Sequence, residues 1–379
     1  AGWRFRLRRG AESAPYLFQR SRWVGRRVPS PPRWLPPPTG RCARQFKQAI
    51  SLLASAGPLF GSSHDPMTAA HRLKRRLAAP FAGRPFLLQR LRWPNPFCPP
   101  YQQSEINLYR RGELGDVVMS LAVVRAIRER NPATKLTFIT NYHEFLNGHP
   151  LIDRVLSVEA AAQARLRRVV SLRYEVFVPL QLHVIDYLAG CVGLRDIQHT
   201  IPLPDFRPEL GSLLQLITGP RPWIVVTRNA GPFTPNKDWP LDHWDALIPR
   251  LARHATVVEL GTTPATSPPI PEHIDLRGRT NARQFCGLIS LADLVISPVT
   301  SAVHVAAAYG VPTLSLLGGY ELPANTAYPD HTTLYRAVPC SPCWLQTPCP
   351  FDRECLRQIG VDEVADTAVR LLDRPRTSR

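Results

Sequence analysis

From residue 105 onward, short apolar segments alternate with amphipathic ones of helical period, and after one interruption the alternation starts again. Residues 106–109, 135–140, 154–158, 176–180 and 200–203 read as strands. Between them, residues 117–130 carry apolar side chains at Val117, Leu121, Val124 and Ile127, which is helical spacing, and Asn131-Pro132 ends that helix. Shorter helices are expected over 143–148 and 183–192. Gly219-Pro220-Arg221-Pro222 reads as a linker. Strands follow at 223–227, 256–260, 294–297 and 313–317, with helices over 242–254, 281–292, 302–309 and 361–372. Strand–helix alternation implies parallel sheets covered on both faces. The expected fold is therefore α/β, with two Rossmann-like doubly wound domains, 104–218 and 223–373. A ligand cleft lies between them at the carboxyl ends of the strands.

The net charge of +18 over 379 residues belongs almost wholly to the first quarter. Residues 1–103 hold 19 Lys and Arg against two acidic residues, whereas the rest holds 28 against 27. The body is thus near neutral, and nucleic acid is an unfavoured partner. Residues 1–103 also hold 15 of the 40 prolines and read as a basic extension, disordered to residue 66. Met67 is one of two methionines and a candidate start, in which case 1–66 would not be translated. Residues 67–93 mix Arg and Lys with Leu, Phe and Trp. They read either as a solvated basic arm or as a peripheral contact with an anionic inner membrane surface. The longest apolar run, 49–60, is too short to span a bilayer. Eight cysteines in a chain of this size suit a reducing cytoplasm.

Four motifs sit where the cleft is expected. Gly112-Glu113-Leu114-Gly115-Asp116 follows a strand and opens a helix, and its glycines permit a tight turn and close approach of a ligand on the acceptor side. Asp116 is either the helix N-cap or a general base facing the cleft. In 298–304, Thr300 or Ser301 can cap a short Ala-rich helix. The free N–H groups at its start form an anion site for a diphosphate, to which His304 adds a donor; the competing reading is a capped helix with a partly buried histidine. Arg228 and Lys237 lie in the loop after the first strand of the second half, and Thr262 holds the equivalent rim position after the next strand. Lys237 is either simply solvated or a point charge for a leaving diphosphate. Cys340, Cys343, Cys349 and Cys355 have the spacing C-x2-C-x5-C-x5-C. This suits a structural Zn or Fe ion, or four reduced thiols in a loop.

The order strand, R-x-G-x-L-G-D, helix VVMSLAVVRAIRERNP, strand KLTFIT resembles the N-terminal half of glycosyltransferase family 9, the ADP-heptose:lipopolysaccharide heptosyltransferases and their relatives. NKDWPLDHWDALIPRL, LADLVISPVTSAVHVAAAYGVPTLSLLG and the PCSPC stretch resemble its C-terminal half. The resemblance covers roughly 104–373. It implies a GT-B fold and an inverting transfer that requires no metal for its chemistry, with Asp116 as the base and Lys237 on the donor phosphates. The family segment D-[TS]-G-x-x-H, which binds the nucleotide-sugar, falls on 299–304. There Val299 replaces the aspartate and Ser301 the glycine. The expected function is transfer of a sugar, heptose from ADP-heptose foremost, to a lipopolysaccharide-core or related glycan. The alternative is a degenerate relative that binds nucleotide or glycan without turnover, for which Val299 is the main support.

Overall fold

A computed structural model describes residues 98–374, apart from 165, 167, 179, 232 and 263–271. The basic extension to residue 97, including the arm at 67–93, lies outside the described residues. Residues that follow it are stitched to the body: Asn131 Nδ2 donates to the carbonyls of Tyr101 (3.1 Å) and Gln103 (3.0 Å).

Two parallel sheets form the architecture. In the front lobe, β1 (Glu105–Tyr109), β2 (Lys135–Ile139), β3 (Arg154–Leu156) and β4 (Val169–Ser171) are ordered β3-β2-β1-β4. In the rear lobe, β5 (Trp223–Val226), β6 (Thr256–Glu259), β7 (Ile274–Asp275), β8 (Leu294–Pro298), β9 (Thr313–Leu317) and β10 (His331–Tyr335) are ordered β10-β9-β8-β5-β6-β7. Each pairing is parallel. In both sheets the order reverses beside the first strand of the lobe, which places the loops after β1 and β5 at switch points. β8 and β9 are buried at every residue, as inner strands of a sheet covered on both faces must be.

Helix α1 (Leu114–Arg130) is apolar around most of its circumference, with twelve buried residues. A helix of that composition has to be enclosed. It packs on the front sheet and against α4 (Val184–Cys191) and α7 (Ser301–Ala308). A continuous apolar cluster consequently runs from Ile106 and Leu121 of the front lobe to Val295 and Val303 of the rear. Both sheets belong to one compact unit. A second cluster, built on Trp239, Trp244 and Leu371, lies within the rear lobe, where α5 (Leu241–Leu251) meets α9 (Val361–Leu372).

The element sequence follows the expected alternation, apart from the two-residue β7 and three further differences. The strand expected at 176–180 is a 3-10 turn at Glu175–Phe177, and the sheet is completed instead by β4. Pro179 has no N–H for a ladder, whereas Val169 and Val170 supply a short apolar stretch that reaches β1. Residues 200–203 form no strand; Pro202 interrupts them, and its carbonyl pairs with the His149 ring at 2.9 Å. β10 was not anticipated, because His331-Thr332-Thr333 reads as polar; an edge strand needs little burial.

Candidate functional site

The loop between β1 and α1 builds the first half of the site. Glu113 is the N-cap of α1 and Asp116 is its N3 residue, so Asp116 is not the cap itself. The two form a capping box, in which the Glu113 backbone N–H donates to Asp116 Oδ2 at 3.0 Å. Asp116 Oδ1 forms an ion pair with Arg110 Nη2 at 2.7 Å and accepts from the Tyr174 hydroxyl at 2.9 Å. Arg110 is buried and also donates to Glu175 (2.7 Å) and to the Leu172 carbonyl (2.9 Å). Burial opposes its charge, but Asp116 and Glu175 outweigh that and hold the guanidinium protonated. Burial and the Asp116 charge keep Tyr174 a neutral donor, well above the usual phenol range. The same two influences push Glu113 up from the ordinary carboxyl range.

Both glycines of the loop are there for close approach. A Cβ on Gly112 would stand 2.3 Å from Asp116 Oδ2. A Cβ on Gly115 would stand 3.1 Å from the His304 ring and 3.3 Å from Ser301 Cα. Gly115 therefore lets the start of α1 rest on the start of α7, and Asp116 follows directly after it.

The second half of the site comes from α7 and the loop after β5. Thr300 caps α7 by accepting the Ala302 N–H at 3.1 Å. Its hydroxyl is bridged by Ser297 to Thr227. Ser301 is then the first helical residue, and the positive end of α7 opens beside Gly115. His304 is buried, with Nδ1 at 2.9 Å from the Tyr328 hydroxyl. Burial, followed by the charge of Lys237 and by His331, lowers its pKa to about 3, so the ring is neutral. Lys237 closes the 3-10 turn Pro235–Lys237, and its Nζ pairs with the buried Glu321 at 2.7 Å over the Tyr320 ring.

Gly112, Gly115, Asp116, Ser301, Thr300, His304 and Lys237 thus converge along one seam between the lobes. Arg228 directly follows Thr227. It is buried and grips Glu259 with both Nε (2.7 Å) and Nη2 (2.9 Å), in a network with His273, Asp275 and Arg277. Thr262 is exposed. Val299 is buried immediately before the α7 cap. Arg110, Tyr174, Tyr328 and Glu321 were not singled out from sequence. Arg110 could have been, since it opens the turn after β1; Tyr174 sits 58 residues from Asp116 and has no spacing signal.

Two groups could hold a metal. Glu259, His273 and Asp275 bring ligand atoms within 4.8 Å of one another. Their carboxylates already neutralise Arg228 and Arg277, which makes the group a poor cation site. Cys340, Cys343, Cys349 and Cys355 all carry free thiols. Burial raises Cys340 above the ordinary thiol range, reinforced by Cys355 and Cys349, and raises Cys343 to about 11. Four mutually influencing soft donors match a thiophilic ion in chemistry, though they are not drawn into the tight grouping that the first cluster shows.

Residues 181–351 match the model of glycosyltransferase family 9 (heptosyltransferase). None of the curated proteins compared matches the chain. Among solved structures, the chain resembles the ADP-heptose lipopolysaccharide heptosyltransferase II of E. coli, at 15% identity and a TM-score of 0.55, with 71% of this chain and 98% of that one covered. It resembles the glycosyl transferase family 9 protein of Veillonella parvula at 15% identity and a TM-score of 0.53, covering 71% and 97%. A third is the iron-containing dodecameric glycosyltransferase TibC of enterotoxigenic E. coli, at 14% identity and a TM-score of 0.55, covering 70% and 75%. At these identities the likeness establishes a shared GT-B fold.

Proposed function

We propose a transfer reaction for this chain from the premise that its residues 181–351 belong to glycosyltransferase family 9. Asp116 takes the proton of an acceptor-sugar hydroxyl, whose oxygen forms a bond to the anomeric carbon of a nucleotide-activated sugar. The bond from that carbon to the diphosphate breaks, and the diphosphate leaves with the electron pair. Attack from the face opposite the leaving group inverts the anomeric centre. Lys237 and the start of α7 stabilise the charge that develops on the leaving oxygens. The neutral His304 adds one N–H donor. The observation that supports this reading is the close approach of Gly115 to Ser301 and His304, which brings the residue before Asp116 onto the start of α7.

The donor is ADP-heptose and the acceptor a lipopolysaccharide-core or related glycan, by extension from what the similar E. coli enzyme is named for. Among the described residues no helix is long and apolar enough to cross a membrane. Work at the cytoplasmic face would use the basic arm at 67–93 as a peripheral contact. Thermal-shift titration with ADP-, UDP- and GDP-sugars, followed by a transfer assay on the stabilising donor, tests the reading. ADP-heptose should raise Tm and be consumed when acceptor is added. A donor that stabilises the protein but is never consumed supports the second reading, a binder without turnover, which the buried Val299 favours.

The cysteine tetrad is proposed to hold a structural Zn or Fe ion through four thiolates, each of which loses its proton on binding. TibC, described as iron-containing, lends support. Protein purified without chelator should contain about one equivalent of metal per chain by elemental analysis, and Cys343→Ser should lose most of it. Negligible metal in both would leave the thiols as loop packing.

A further inference from the structure

The cysteine segment meets the Lys237 site from two directions. On one side it holds the turn that carries the lysine. Asn236 is buried, and its Nδ2 donates to the carbonyls of Leu345 and Thr347, both at 2.7 Å. Thr234 Oγ1 donates to the same Leu345 carbonyl at 3.1 Å, and Arg353 Nη1 to the Asp238 carbonyl at 2.9 Å. The residues on both flanks of Lys237 are therefore tied to the loop that starts at Cys340 and ends at Cys355.

On the other side the segment holds the groups that the lysine amine touches. The Cys343 N–H donates to the Gly319 carbonyl (2.9 Å) and the Trp344 N–H to the Tyr320 carbonyl (3.0 Å). The Trp344 and Tyr320 rings pack with centroids 5.2 Å apart. Tyr320 lies under Lys237 Nζ, and the adjacent Glu321 pairs with it. The fit leaves no slack: a Cβ on Gly318 would stand 2.9 Å from Cys355 Sγ, and one on Gly319 2.1 Å from Ser341 Oγ.

We infer that the segment 340–355 is a brace that sets the position of Lys237, with Asn236 as the positioning residue joining the two. An amide suits the place because its NH2 end supplies two donors to two carbonyls, which neither a carboxylate nor an apolar side chain can do. The inference rests on Lys237 facing the donor diphosphate, and it assigns the cysteine loop a part in donor affinity apart from any metal it holds.

The test is calorimetric titration of the full chain with ADP, UDP and GDP, carrying forward the tightest binder together with its nucleoside. Asn236→Ala should weaken the nucleoside diphosphate about tenfold, as loss of two buried hydrogen bonds implies. It should leave the nucleoside within about twofold, since only the phosphates meet the lysine. In a Lys237→Ala background, adding Asn236→Ala should cost less than about twofold more, because the two residues act through one amine. If Asn236→Ala does not fold, Thr234→Val removes a bond to the same carbonyl and should weaken the diphosphate about threefold. Equal losses for nucleoside and diphosphate, or independent effects in the double variant, overturn the brace. No nucleotide binding by the parent, or a Lys237→Ala protein that binds the diphosphate normally, overturns the donor-site reading itself and the brace with it.

Discussion

Asp116→Asn should lower the rate of sugar transfer about 1000-fold, within the range that loss of a general base produces, while donor binding should stay near the parent value. The amide cannot take the proton of the attacking hydroxyl, but it keeps the size of the carboxylate and one acceptor oxygen. The change also carries a folding cost that has to be measured alongside. Arg110 is buried, and Asp116 is one of its two acidic partners. Its charge would be left to Glu175 alone, so stability should fall by about 1–3 kcal/mol. A Tm measurement on the same preparation separates the two effects. Tyr174→Phe is the companion variant, since it removes one hydrogen bond from the same carboxylate oxygen and leaves the charge pair intact. It should slow transfer less than about tenfold. An Asp116→Asn enzyme that turns over within a few-fold of the parent would falsify the base assignment.

The parts of this molecule that could be read from the sequence are those encoded by short-range periodicity. β8 and β9 are short stretches rich in Leu, Val and Ile, α5 and α9 carry an apolar face every three or four residues, and Gly219-Pro220-Arg221-Pro222 breaks the chain between the lobes. Of the strands that escaped, β4 and β7 are three and two residues long, too short for any period to register, and β10 reads as polar. The site divides in the same way. Gly112, Gly115, Asp116, Thr300 and Ser301 lie at strand-to-helix junctions, where local sequence announces a turn and a helix start. Arg228 occupies the same type of junction, yet it is taken up by Glu259, a residue 31 positions away. Only the pairing of β5 with β6 brings the two together. Tyr174 and Glu321 likewise reach Asp116 and Lys237 through tertiary packing, which no local pattern records. Local pattern therefore marks the strand-to-helix turns, but not the tertiary partners of Asp116 and Lys237.

Gly112→Ala is expected to reduce transfer about 100-fold with only a small loss of stability. Gly112 does not occupy the left-handed region, so alanine meets no backbone penalty there. The added methyl would instead sit 2.3 Å from Asp116 Oδ2 and 3.0 Å from Cγ, inside contact distance of the carboxylate on two atoms. The carboxylate cannot simply swing away. Oδ2 is held by the Glu113 N–H, and Oδ1 by Arg110 and Tyr174. Relief has to come from moving the whole group by something near an ångström, a displacement that costs about 100-fold in a positioned reaction. The neutral alternative is a rigid shift of the 110–113 turn; Asn141 resists it by bonding the Gly112 carbonyl at 3.0 Å across to the loop after β2. Steady-state kinetics distinguish the outcomes, because a displaced base lowers kcat and leaves donor KM alone. If Asp116 were merely a structural member of the capping box, the same methyl would lower Tm by several degrees and leave kcat per folded molecule unchanged. The methyl thus probes where the carboxylate must stand, whereas Asp116→Asn probes whether a carboxylate is needed.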